Sequence, residues 1–223
     1  MRLTPALLLV CALVPIGLSQ THTMTQGARR MELMLERRDG ADWRTIDPGL
    51  VLDQGDRVRF RFRTNFDGYL YVMNQSTSGK YEQLFPREET GQDNRLVAGR
   101  EYQVPASSTA FRIAGPPGHE IVYWLVTPAR LTDASSPPAP LPERKTAPPT
   151  LIPRCDDAVL RARGDCVDSS AGPRLVPRGA ELPQNYPVGG RDLMFMRQKD
   201  TAVISSREPL NGPILYEFDL AHR

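Results

Sequence analysis

From Arg30 to Thr127 the apolar residues recur with a period of two, as strands with one buried face require. Met31, Leu33 and Leu35 alternate with other residues through RMELMLE, a turn follows between Arg38 and Asp42, and Trp43 and Ile46 lead into the punctuated PGLVLDQGD. The clearest alternation is RVRFRFRT, in which Val58, Phe60 and Phe62 share one face and Arg57, Arg59, Arg61 and Arg63 the other. NFDG then turns the chain into YLYVM. Setting Arg63 opposite Tyr69 brings Phe62 to Leu70, Phe60 to Val72 and Arg61 to Tyr71. Each face then keeps its character, and the pattern predicts an antiparallel hairpin with an Arg/Tyr outer face.

Further strands are expected at Tyr81 to Phe85, Arg100 to Val104, Ala110 to Ile113 and Ile121 to Val126. The last of these, in EIVYWLVT, is almost continuously apolar and reads as a central strand covered on both faces. No window carries a helical stripe for three turns. Short strands punctuated by Gly, Pro and Asn predict an all-β fold, an immunoglobulin-like β-sandwich over residues 29–131.

Between residues 132 and 187 lie 11 of the 21 prolines, a density that a central strand cannot carry. Residues 132–190 are therefore expected to be a proline-rich insertion or linker, with one pinned turn of helix in CDDAVLRARGDC. Strand character returns over 191–223 in DLMFMR, TAVISS and PILYEFDL, where Ile214, Tyr216, Phe218 and Leu220 alternate with Leu215, Glu217 and Asp219. Two or three strands cannot bury their own apolar face. They are expected to pair back onto the first module, making one sandwich with a long insertion.

Composition narrows the function classes. The net charge is +2 on 223 residues, without the basic excess of a nucleic-acid binder. The first 19 residues join Arg2 to an apolar run from Ala6 to Leu18, with Gly17 and Ser19 placed for a cut before Gln20. That is the pattern of a secretory signal peptide. No later stretch is apolar enough to span a bilayer, so the expected location is periplasmic or secreted. Cys11 follows Leu8, Leu9 and Val10 rather than a small residue, which argues against lipid attachment. The remaining cysteines, Cys155 and Cys166, form an even pair in an exported chain, and a disulfide is expected.

The segment from Gly49, with LDQGDRVRFRFRTNFDGYLYVMNQ, then Gly79, LFP at Leu84 to Pro86, YQVP at Tyr102 to Pro105 and the closing GHEIVYWLVT, resembles the bacterial DUF4384 family, a domain of unknown function, over roughly residues 49–127. The resemblance implies a sandwich module of exported or of kinase- and peptidase-linked proteins. It implies no catalytic role for Asp56, Asp67 or Pro86.

Candidate chemistry is sparse. His22, His119 and His222 are far apart in sequence, and His119 in PPGHE reads as a turn or surface residue. Glu88 and Glu89, and the group Asp156, Asp157, Asp165 and Asp168, read as solvated loops without the EF-hand order. Arg163, Gly164 and Asp165 spell an RGD triplet of the kind chance supplies, and Asn74-Gln75-Ser76 matches a glycosylation acceptor. No phosphate-binding loop, Rossmann fingerprint or zincin motif is present. No catalytic, cofactor-binding or metal residue is therefore assigned, and no cofactor is expected.

The candidate interaction face is Arg57, Arg59, Arg61 and Arg63 beside Tyr69 and Tyr71, able to hold an anionic polymer or an acidic partner unless neighbouring strands neutralise it. The function expected is a non-enzymatic binding or assembly module of the bacterial cell envelope. Its partner would be another envelope or secreted protein, or a second copy joined through sheet edges. The alternatives are a self-associating structural subunit and a carboxylate-dependent glycan or peptide hydrolase.

Overall fold

A computed structural model describes residues 28–131, 151, 153–154, 165–177, 193–206 and 212–223. The expected signal peptide, Cys155 and the greater part of the proline-rich stretch lie outside the described residues.

Among the described residues every regular element is a strand. The elements are β1 (Arg30–Asp39), β2 (Asp42–Ile46), β3 (Arg57–Thr64), β4 (Gly68–Gln75), β5 (Tyr81–Phe85), β6 (Arg95–Leu96), β7 (Glu101–Val104), β8 (Phe111–Arg112), β9 (Gly118–Thr127), β10 (Pro153–Arg154), β11 (Val167–Asp168), β12 (Gly172–Arg174), β13 (Leu193–Gln198), β14 (Thr201–Ser206) and β15 (Ile214–His222). One sheet runs β13-β14-β1-β3-β7, with β2 on β1 and β8 on β3. The second runs β12-β15-β9-β4-β5, with β6 on β4. All pairings within both sheets are antiparallel. The two sheets pack face to face as a β-sandwich.

The expected hairpin of β3 with β4 does not form. β3 pairs with β1, β7 and β8, whereas β4 pairs with β5, β6 and β9 in the other sheet. Alternation fixes which side of a strand is apolar but not which strand it joins, so Phe62 and Leu70 can share a face or oppose each other across a core. Local contacts at the turn decide the matter. Asn65 is held to the first sheet, its Oδ1 accepting from Arg30 N (2.6 Å) and its Nδ2 donating to Ala28 O (3.1 Å). Gly68 lies so close to the second sheet that a Cβ there would stand 2.8 Å from the Thr127 carbonyl oxygen. The two intervening residues, Phe66 and Asp67, carry the chain from one sheet to the other.

The core joins the inner faces. Phe60 meets Trp124 and Phe218 edge-on with ring centroids 5.1 and 5.3 Å apart, Phe62 meets Trp124 at 5.5 Å, and Trp124 stacks on Tyr216 at 6.2 Å. β9 is buried along its whole length. β15 lies between β12 and β9 and pairs with β9 from Ile214 opposite Val126 to His222 opposite Gly118. Tyr216, with no exposure, is pushed well above the ordinary tyrosine range by burial.

Candidate functional site: an inter-sheet cleft

The arginine face is internally neutralised by acids on the strands beside β3. Arg59 Nε donates to Glu36 Oε2 at 2.6 Å, Arg61 Nη2 lies 3.2 Å from Glu36 Oε1, and Arg63 Nη2 donates to Glu32 Oε2 at 2.7 Å. Glu101 on β7 adds a looser contact to Arg61 at 3.8 Å, and the Arg59 guanidinium covers Trp43 at 4.2 Å. Tyr69 and Tyr71 belong to the other sheet, because β3 and β4 are not paired. The Tyr71 hydroxyl accepts from Leu131 N at 2.9 Å. The six residues expected to form one surface are thus divided between two sheets. Arg57 differs from its neighbours: it stands directly opposite Arg112 on β8. Both are exposed, and neither is in an ion pair with a described residue.

A second polar group covers the outer face of the other sheet. His119 is buried inside β9 rather than lying in a turn or on the surface, and Asp168 is fully buried rather than solvated. His119 Nε2 lies 3.3 Å from Ser170 Oγ and 3.6 Å from Asp168 Oδ2, while the Ser170 hydroxyl donates to Asp168 Oδ1 at 2.6 Å. A hydrolytic relay uses the two ring nitrogens in series, one for the serine and one for the acid. Here serine and acid meet at the same nitrogen and bond to each other, which is the geometry of a clamp. Nearby, Arg174 Nε donates to Glu217 Oε1 at 2.6 Å and Arg174 Nη2 lies 2.5 Å from Asp219 Oδ2. Burial lowers the Arg174 pKa, but Asp219 and Glu217 outweigh it and hold the guanidinium above its ordinary value. These contacts fasten residues 165–177 across β15 and β9. Cys166 is buried in this segment.

The concave site lies between the sheets, where β5 ends one and β8 flanks the other. A cleft of about 460 Å³ opens there, walled by Leu84, Phe111, Ile113, Val122 and Leu220 and reaching Phe60. Its polar lining comes from positions in phase with the core. Asn74 follows Leu70 and Val72 on the inner side of β4, and Glu120 precedes Val122 and Trp124 on the inner side of β9. Asn74 Nδ2 donates to Glu120 Oε2 at 2.5 Å, and Thr77 N donates to Glu120 Oε1 at 3.3 Å. His222, fully buried, places Nε2 3.5 Å from the same Oε1. Since the carboxylate requires the amide nitrogen of Asn74, Asn74 Oδ1 is left as an acceptor, buried and without a partner among the described residues.

The mouth carries Arg87 and Arg112. Arg87 is occupied by Glu82 and by Glu89, to which its Nε donates at 2.8 Å. The hydrogen bonds it donates to Glu89 and Glu82 raise its pKa, and the one to Glu89 lowers that carboxyl's. The turn that presents Arg87 closes on Gly91, at φ +117, where a Cβ would stand 2.7 Å from Ala106 Cβ. Only glycine suits that conformation and that spacing. No group of three or more His, Cys, Asp or Glu side chains among the described residues is placed to hold a metal ion, and no helix among them is long and apolar enough to cross a membrane.

Sequence reasoning passed over Asn74, Glu120 and Arg112 as a site. The signal was the phase of Asn74 and Glu120, two polar residues at positions that the alternation assigns to the core. A family model described as a domain of unknown function, DUF4384, matches residues 51–130, in agreement with the resemblance read from the motifs. All of the cleft lining except Leu220 falls inside that segment. No curated protein and no solved structure matches the chain.

Proposed function

We propose that the chain is an exported, non-enzymatic binding module of the bacterial cell envelope, and that the inter-sheet cleft receives its partner. The observation carrying this reading is the cleft itself, because apolar walls with a few convergent polar groups and a volume of several hundred Å³ are the usual form of a binding pocket. Its acids support binding over paired-carboxylate hydrolysis. Glu82 and Glu89 are both engaged by Arg87, and Glu120 by Asn74 and Thr77. Export to the periplasm or medium rests on the first 19 residues, and a Cys155–Cys166 disulfide and an immunoglobulin-like arrangement of the sandwich belong to the same reading. Self-association is the second form of it, favoured by the terminal strand β13, which exposes Met194 and Met196.

The test is binding of the apolar fluorophore 1-anilinonaphthalene-8-sulfonate to the folded chain. One saturable site is expected, lost in Ala110→Trp, which fills the cleft, with the thermal midpoint unchanged. Binding that neither saturates nor responds to Ala110→Trp would overturn the assignment. Turnover of a glycan or peptide substrate that Glu120→Gln abolishes would replace it with the hydrolase reading.

A further inference from the structure

We infer that the cleft takes an extended peptide segment of a partner protein, with an apolar side chain between the sheets and an adjacent acidic side chain on Arg57 and Arg112; this rests on the cleft being the binding site. Arg112 lines the cleft, and Arg57 is its direct cross-strand neighbour. Like charges directly opposite in a sheet are destabilising. Every other arginine of β3 has a carboxylate within 4.0 Å, whereas this pair has none among the described residues. The unbalanced charge is therefore local and reaches the lining of an apolar slot through Arg112, which suits one carboxylate beside one apolar anchor. A polyanion fits less well, since Glu82 and Glu89 stand at the same mouth and the whole chain is only +2.

The shape favours an extended segment. β5 terminates one sheet and β8 lies on the outer side of β3 in the other, so the slot runs between two strand edges that can take main-chain hydrogen bonds. An apolar anchor also explains why the slot reaches Phe60, Val122 and Leu220, residues of the core itself.

The experiment uses the full mature chain and two ten-residue synthetic peptides that alternate apolar and polar positions, identical except that the central leucine is flanked by aspartate in one and asparagine in the other. Calorimetric titration at low salt should show the aspartate peptide binding about tenfold more tightly, a difference of ~1.4 kcal/mol. That advantage should vanish in Arg112→Glu and in Arg57→Glu, both exposed positions, and should shrink at high salt. Replacing the central leucine by alanine should abolish binding. Equal affinity for the two peptides, tighter binding of a lysine-flanked peptide, or displacement by inorganic polyphosphate as effective as by the aspartate peptide would overturn the inference. Should the fluorophore occupy the cleft while neither peptide binds, the peptide inference fails and the cleft stands as a site for another ligand.

Discussion

Replacing Phe60 by alanine should cost about 4 kcal/mol, while the same change at Arg61, the next residue, should cost less than about 1. Phe60 has no exposure, and its ring makes two edge-to-face contacts, with Trp124 and Phe218. Core Phe→Ala changes cost roughly 3 to 5 kcal/mol, and each aromatic contact adds about 0.5 to 1.5 beyond the area buried, which points to the upper end. The ring also lines the inter-sheet cleft, so part of the void opens towards solvent and the cavity penalty falls. Arg61 keeps 35% of its side chain exposed and shares Glu36 with Arg59, which holds that carboxylate at 2.6 Å. Removing Arg61 therefore leaves no buried charge alone. Urea titrations of the two variants at constant slope give the comparison directly. Equal losses, or a cost below ~2 kcal/mol for Phe60→Ala, would refute the assignment of faces.

Arg174→Ala should destabilise the fold by about 2 to 4 kcal/mol, because it strips the guanidinium from two fully buried carboxylates, and the partial exposure of Arg174 keeps the figure below the range of a wholly buried pair. Arg174→Lys should recover less than half of the loss, since one ammonium cannot serve Glu217 and Asp219 as the planar fork does; thermal unfolding without any shift would mean that residues 165–177 are not anchored there. For Tyr216, burial raises the folded pKa above an unfolded value of about 10. Its contribution is complete below pH ~10 and is lost above it, as the unfolded chain releases a proton that the folded one keeps. Tyr216→Phe should reduce the alkaline fall in stability by up to ~1.4 kcal/mol per pH unit, and an unchanged slope would contradict the buried hydroxyl. Deleting residues 214–223 removes an interior strand and the Tyr216 and Phe218 rings, so the cooperative thermal transition should disappear; its survival at the same midpoint would show that the sandwich closes without β15.

How much of this was legible in the sequence depends on whether the controlling contact is local. The alternations in β1, β3 and β15 name the inward residues one by one, since the side-chain period of a strand is a property of the backbone. Met31, Leu33 and Leu35, then Val58, Phe60 and Phe62, then Ile214, Tyr216, Phe218 and Leu220 all enter the core. Which strand each would join is another matter. Glu32 and Glu36 sit in the outward phase of β1, in register with Arg63 and Arg59, but a pairing between segments so far apart leaves no trace in either one. The same blindness produced the expected β3–β4 hairpin.

The outward phase misleads where a face that looks solvated is covered from elsewhere. Glu217 and Asp219 alternate with the core residues of β15, yet both are fully buried under Arg174. The covering strand β12 comes from a stretch whose prolines argued for loop. Pro173 is admissible there because β12 is terminal in its sheet, where a residue without an N–H deprives no second neighbour of a bond. Inward polar residues carry the complementary message. Asn74 and Glu120 occupy core positions near one end of the sandwich, and His222 continues the inward series of Phe218 and Leu220. A core packed only for stability would place apolar side chains at all three, since buried polar groups cost free energy unless fully bonded. Asn74 and Glu120 line the cleft at that end of the interior, with His222 beside Glu120, and the strand alternation already names all three as the residues to test.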